Sequence, residues 1–157
     1  MELVEISRWE IDLVVNKHES ARSLALSVLE QVFDQGAYSN IALNKALESS
    51  RLSAQDKGLV TELVYGTVSR KITLEWYLAR FIEDREKLDT WVYYLLMLSL
   101  YQLLYLDKLP IHAVVNEAVQ IAKRGRGTDK FVNAVLRKIS QTSLPSPSDI
   151  KRKNKRL

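Results

Sequence analysis

Apolar side chains recur along this chain at intervals of three and four residues, and no stretch alternates between apolar and polar with period two. Ala21, Ala25 and Leu29 together with Leu24, Val28 and Val32 give the segment Ala21 to Gln35 one apolar face, and Gly36 can end it with a left-handed cap. Ser39 is placed to cap a second segment, Asn40 to Glu48, with Ile41, Leu43, Ala46 and Leu47 as its apolar positions. Ser53 followed by Asp56 resembles a capping box for a helix running through Leu59, Val60, Leu63 and Val64 to about Val68. Ile72 to Ile82, with Leu74, Trp76, Leu78 and Phe81, predicts a further amphipathic helix. Leu88 to Leu106 is apolar nearly all round, the mark of a central helix surrounded by others. Pro110 stands where a helix can begin, and Val114, Val115, Ala118, Val119 and Ala122 then point inward. Phe131, Val132, Val135, Leu136 and Ile139 make the last helix. Proline is absent from every predicted helix interior, so the pattern specifies an all-α fold.

Composition narrows this little. A chain of 157 residues with 46% hydrophobic and 27% charged residues is sized for one globular domain. Without cysteine there is no disulfide, thiolate metal site or thiol nucleophile, which suits a reducing, cytoplasmic setting. The first twenty residues carry Glu2, Glu5, Glu10 and Asp12 and no long apolar run, unlike a secretory signal. The most apolar stretch, Trp91 to Leu106, is 16 residues long. A membrane span needs about 20, so no membrane association is expected.

Charge distribution changes the picture more. Met1 to Ala122 holds 12 basic and 17 acidic residues, a net of −5, whereas Lys123 to Leu157 holds 11 basic and 2 acidic residues, a net of +9. Positive charge gathered into one stretch is the footprint of a polyanionic partner, though a solubilising tail has the same composition. The charge falls in two clusters. Lys123, Arg124, Arg126 and Lys130 surround Gly125 and Gly127 between apolar segments, and Lys151, Arg152, Lys153, Lys155 and Arg156 follow the turn-rich run Ser143 to Ser148. The glycine turn can approach a phosphate backbone or simply join two helices.

Catalytic chemistry finds no foothold. His18 and His112 lie far apart without carboxylates at ligand spacing, so no metal is expected. The five glycines form no phosphate-cradling loop, and no Ser, His and Asp spacing singles out a triad. Tyr93, Tyr94, Tyr101 and Tyr105 recur on the apolar helix and read as core, while Tyr38, in a turn, is the better candidate for an exposed ring.

Six segments, in order, resemble the NusB family. They are Ala21-Arg22 with the leucine pattern behind it; Tyr38-Ser39-Asn40 with Leu43-Asn44; Glu62 to Thr67 (ELVYGT); Leu100 to Leu106 (LYQLLYL); Pro110 to Val119 (PIHAVVNEAV); and Phe131 to Arg137 (FVNAVLR). They span Ala21 to Ile139. The resemblance implies a NusB-like fold of two packed three-helix bundles and a role in binding RNA. It divides the chain into an extension (1–19), a helical domain (20–141) and a basic linker (142–157).

Within the family the chain looks most like the N-terminal domain of the small-subunit ribosomal RNA cytosine-C5 methyltransferases. The Asn133-Ala134-Val135-Leu136-Arg137 ending, the ELVYGT segment and His112-Ala113 point to that branch rather than to the stand-alone antitermination factors. The tail SLPSPSDIKRKNKRL looks like the linker into their catalytic domain. That domain, in cis, would bind S-adenosylmethionine and perform the chemistry, leaving this chain without cofactor or catalytic residues. Its partner would be small-subunit ribosomal RNA, held by its phosphates. Two rivals stand beside this: an antitermination factor, and a structural module that docks on the catalytic domain.

The candidate RNA contacts are Arg22, Lys123, Arg124, Arg126, Lys130, Arg137 and Lys138. Arg22 draws notice because a cation at a helix N-terminus is mildly unfavourable, whereas Arg137, near a helix C-terminus, also has an electrostatic explanation. Asn116, Glu117 and Asn133 are expected to form a structural polar network near helix starts, direct RNA contact being the alternative.

Overall fold

The computed structural model describes residues 19–145. The extension's first 18 residues, most of the linker, and the basic cluster Lys151 to Arg156 lie outside them, as does His18. The described residues form seven α-helices: α1 (Ala21–Gln35), α2 (Ser39–Ser49), α3 (Ala54–Ser69), α4 (Lys71–Leu78), α5 (Thr90–Tyr105), α6 (Ile111–Ala122) and α7 (Thr128–Gln141). A single 3-10 turn, Arg85–Lys87, precedes α5.

Local chemistry sets most boundaries. Ser20 and Ser23 close a reciprocal capping box at the start of α1, with the Ser23 amide 3.1 Å from the Ser20 hydroxyl and the Ser20 amide 2.8 Å from the Ser23 hydroxyl. Gly36 ends that helix at φ 70°. The Ser53 hydroxyl accepts from the Asp56 amide at 3.1 Å and starts α3. Three expectations shift. Ser39 is the first residue of α2 and not its cap, because Tyr38 takes the extended conformation before it. The segment from Ile72 breaks at Leu78, and Phe81 and Ile82 pack from the turn that follows. The last helix begins at Thr128, before its apolar run, because Gly127 turns the chain at φ 73°.

The two bundles implied by the resemblance are α1–α3 and α5–α7, with the short α4 between them in sequence. Helix α5 is the shared centre, packing on α1, α3, α4, α6 and α7. This is why it is apolar on every side: Leu95, Leu96, Met97, Leu98 and Leu100 are all buried. Each fully buried leucine contributes roughly 2 to 3 kcal/mol.

One polar fastener ties the bundles, and a second holds the segment between them. The Tyr94 hydroxyl donates to Asp34 at 2.5 Å, joining α5 to the end of α1; burial and then the Asp34 carboxylate push that phenol up to about 12. Glu75 receives Lys71 at 2.9 Å and Arg85 at 2.5 Å, joining α4 to the 3-10 turn. Glycine is required at Gly66. A methyl there would overlap the Tyr101 ring, with Cε1 at 2.5 Å and the ring tip closer still. Helices α3 and α5 approach that closely because nothing projects from Gly66.

Candidate nucleic-acid interface

The sequence-predicted cations do not gather into one site. Arg22 faces inward. Its Nε donates to Gln102 Oε1 at 2.5 Å, its guanidinium pairs with Glu117, and its side chain is only 12% exposed. The expectation that Arg22 reaches RNA is therefore corrected. The cost of a cation at the start of α1 is offset inside the protein, by a carboxylate from α6 and an amide from α5.

The expected network of Asn116, Glu117 and Asn133 is likewise not formed. Glu117 belongs to Arg22, Asn133 accepts from Arg137 Nε at 3.0 Å on its own helix, and Asn116 is exposed. Arg124 lies over the Trp91 ring at 4.7 Å and reaches Glu30 at 3.2 and 3.3 Å. That pair is about half exposed on the arginine side, so opening it costs about 1 kcal/mol or less. Lys123 is exposed beside Ser20, Ser23, Gln120 and Ile121, on the flank where α1 begins.

The remaining four cations lie on and around α7. Lys130 and Arg137 are two turns apart on its exposed side, opposite the buried Val132, Val135, Leu136 and Ile139. Lys138 lines a cleft of about 540 Å³ between α7 and the segment after α4, with Arg80, Phe81, Lys87 and Phe131. Arg126 lines an adjoining cleft of about 220 Å³, which shares Lys87, Leu88 and Phe131 with the first. The two are one groove, with Phe131 on its wall and Arg80, Lys87, Arg126 and Lys138 along it. Glu83, Asp84 and Asp89 also line it.

The Gly125-Arg126-Gly127 turn is thus a connector that carries one cation into the groove. Gly125 packs against Trp91 and Thr128, where a Cβ would stand 3.0 Å from the Trp91 ring, and Gly127 supplies the positive φ.

Phe131, Arg80 and Lys87 escape a reading of the sequence. Phe131 falls in the apolar pattern of α7, yet it sits at the edge of the buried stripe and stays 36% exposed. Arg80 and Lys87 come from a region whose net charge is negative, so counting charge along the chain hides them. An exposed aromatic among cations can stack on an unpaired base while the cations hold phosphates. Among the described residues no His, Asp and Glu cluster could hold a metal ion. No described helix is long and apolar enough to cross a membrane.

Comparison with known proteins places this geometry. The NusB family model matches residues 19–141, nearly all of the described fold. The chain belongs to the NusB family. The probable ribosomal RNA small subunit methyltransferase B of Bacillus subtilis (strain 168) is 48% identical over 132 residues, covering 83% of this chain and 30% of that protein. The counterpart in Synechocystis is 38% identical over 123 residues and 27% of its length. This NusB chain thus spans under a third of the methyltransferase relatives, matching their N-terminal domain. The transcription antitermination protein NusB of Ruminiclostridium cellulolyticum is 33% identical, covering 80% of this chain and 90% of that one. The solved structure of Thermotoga maritima NusB superimposes with a TM-score of 0.71 at 24% identity, which bears on the fold alone.

Proposed function

We propose that this NusB domain is the RNA-binding front part of an S-adenosylmethionine-dependent small-subunit ribosomal RNA cytosine-C5 methyltransferase. The observation that carries the reading is the 48% identity to the Bacillus subtilis methyltransferase over most of this chain. In this reading the domain performs no chemistry. S-adenosylmethionine and the cytosine are held by a methyltransferase domain of the same polypeptide, and the NusB domain supplies affinity and register through phosphate contacts. Lys130 and Arg137 on the outer side of α7, and Arg126, Lys138 and Lys87 in the groove, are the contacting cations. Phe131 is the stacking platform for an unpaired base.

Binding of the purified chain to small-subunit ribosomal RNA fragments, titrated across salt concentrations, tests the proposal. Each phosphate contact contributes a slope of about −0.7 to −0.9 in log K against log salt. Changing Arg126, Lys130 and Lys138 together to glutamine should reduce the magnitude of the slope by about 2 to 3 and weaken different RNAs alike. Phe131→Ala should instead weaken single-stranded targets selectively, with the slope unchanged. Binding that is undetectable at low salt, or indifferent to salt, would refute the electrostatic reading. Methyl labelling of RNA by the chain alone would refute its non-catalytic role.

The antitermination reading is favoured by one observation, the 90% coverage of the Ruminiclostridium cellulolyticum factor. Co-purification of this chain with a ribosomal-protein partner from transcription complexes would support that alternative.

A further inference from the structure

The outer face of α4 is apolar and uncovered. Ile72 is 84% exposed and Trp76, one turn on, is 37% exposed, while Leu74, Tyr77 and Leu78 on the opposite side are buried. Single exposed apolar residues are ordinary on a protein surface. This pair differs because it lies where the chain leaves the domain. After α7 ends, Leu144 packs back against the core, and the Tyr77 hydroxyl donates to the Pro145 carbonyl. The Trp76 ring meets Tyr77 edge-on at 5.3 Å, so one side chain separates the exposed face from the fixed point of exit. The Arg80 guanidinium lies 3.9 Å over the other part of that stack, on the Trp76 ring, and gives the face a positive rim.

We infer that the Ile72–Trp76 face of α4 is the seat of the downstream methyltransferase domain, which docks there through an apolar patch with an acidic residue opposite Arg80. The inference rests on the proposed function, which supplies that domain. Two observations select it as the occupant. The methyltransferase relatives are more than three times as long as the stretch they share with this chain. The polypeptide is also fastened, by Tyr77, against the same helix that carries the uncovered face. A domain joined at that point begins its search for a surface beside α4, at a high effective concentration. Docking there leaves the outer side of α7 exposed and touches its groove at Arg80 alone, which borders both, while Lys87, Arg126, Phe131 and Lys138 lie in the groove and not on the Ile72–Trp76 face.

The natural reading frame, expressed through its own stop codon, and the 157-residue chain are exposed to hydroxyl radicals, and oxidation is read by mass spectrometry at Ile72, Trp76, Tyr38 and Ile41. Tyr38, just before α2, and Ile41, on α2, are 76% and 60% exposed and serve as the internal controls. In the full polypeptide, oxidation of Ile72 should fall by about tenfold, the ratio of its exposure to that of a buried side chain. Trp76 should fall several-fold, and the controls should not change. Ile72→Asp in the full polypeptide should restore Trp76 oxidation to its rate in the short chain; the substitution is on a solvent-facing side chain and leaves the domain folded.

Equal oxidation of Ile72 and Trp76 in both proteins would overturn the docking, as would protection of all four residues alike. A reading frame that ends at Leu157 would overturn it too, together with the assignment to a methyltransferase. RNA binding by the short chain is measured separately, so a failed docking with intact salt-dependent binding leaves the RNA reading standing.

Discussion

Gly66→Ala tests why the ELVYGT segment carries glycine where a helix would prefer any other residue. In α3, alanine is favoured over glycine by about 1 kcal/mol on propensity alone. Against this, the new methyl overlaps the Tyr101 ring. That ring has little room to retreat: it is 5% exposed, stacks on Tyr105 at a centroid distance of 5.3 Å, and has the Arg70 guanidinium 5.7 Å from its centre. Displacing it forfeits about 0.5 to 1.5 kcal/mol from the stack, and overpacking a closed core costs about 1 to 3 kcal/mol. The net effect should be a destabilisation of about 1 to 3 kcal/mol, a loss of roughly 2 to 4 °C in Tm for each kcal/mol in a domain of this size.

Urea titration of four proteins checks the cause: the parent, Gly66→Ala, Tyr101→Ala and the double variant. With the ring gone, the methyl enters vacated space, so Gly66→Ala should change sign and stabilise the Tyr101→Ala background by up to about 1 kcal/mol. Gly58 lies in the same helix with open space where its Cβ would be, so Gly58→Ala should stabilise the parent by about 0.5 to 1 kcal/mol. If Gly66→Ala has the same effect with and without the Tyr101 ring, close approach of α3 to α5 is not what requires the glycine.

Arg22→Ala should leave the buried Gln102 Oε1 without its donor and Glu117 without its cation, costing about 2 to 4 kcal/mol by chemical denaturation. RNA affinity measured well below the variant's Tm should hardly change, and a large loss of affinity with unchanged stability would return Arg22 to the RNA-contact set. Burial pushes the Glu75 carboxyl up, but the hydrogen bond and charge of Lys71 and the charge of Arg85 outweigh it and hold the group below its ordinary 4.5. A carboxylate with a lowered folded pKa stabilises the fold above the unfolded value, and that stability is lost as pH falls through the folded one. With Lys71 and Arg85 partly exposed, the effect is about 1 kcal/mol or less. The parent should exceed Glu75→Gln in stability at about pH 6, with the gap narrowing as the pH falls below the ordinary 4.5 and through the lowered folded value, and a gap that stays constant during acid titration would contradict the assignment.

Helix positions were legible wherever a local signal coincided with a change of period. Gly36 and Ser53 set boundaries within hydrogen-bonding reach of themselves, and α5 declared its central place by having no polar side. The candidate interface was less legible because partner choice is a tertiary property. Arg22 and Arg137 are both cations near helix ends, and their sequence contexts suggested Arg22 as the freer one. Folding brings Gln102 and Glu117, 80 and 95 residues away, onto Arg22 and leaves Arg137 at the surface. The same distance hides Arg80 and Lys87. Along the chain they belong to a stretch of net charge −5, and in space they face Arg126 and Lys138, from a stretch of net charge +9. A polyanion responds to the potential within about a Debye length, roughly 8 Å at physiological salt, and not to sequence neighbours. The asymmetry that first pointed to RNA therefore identifies the kind of partner, while the groove around Phe131, assembled from both stretches, identifies the side chains whose neutralisation should change the salt slope.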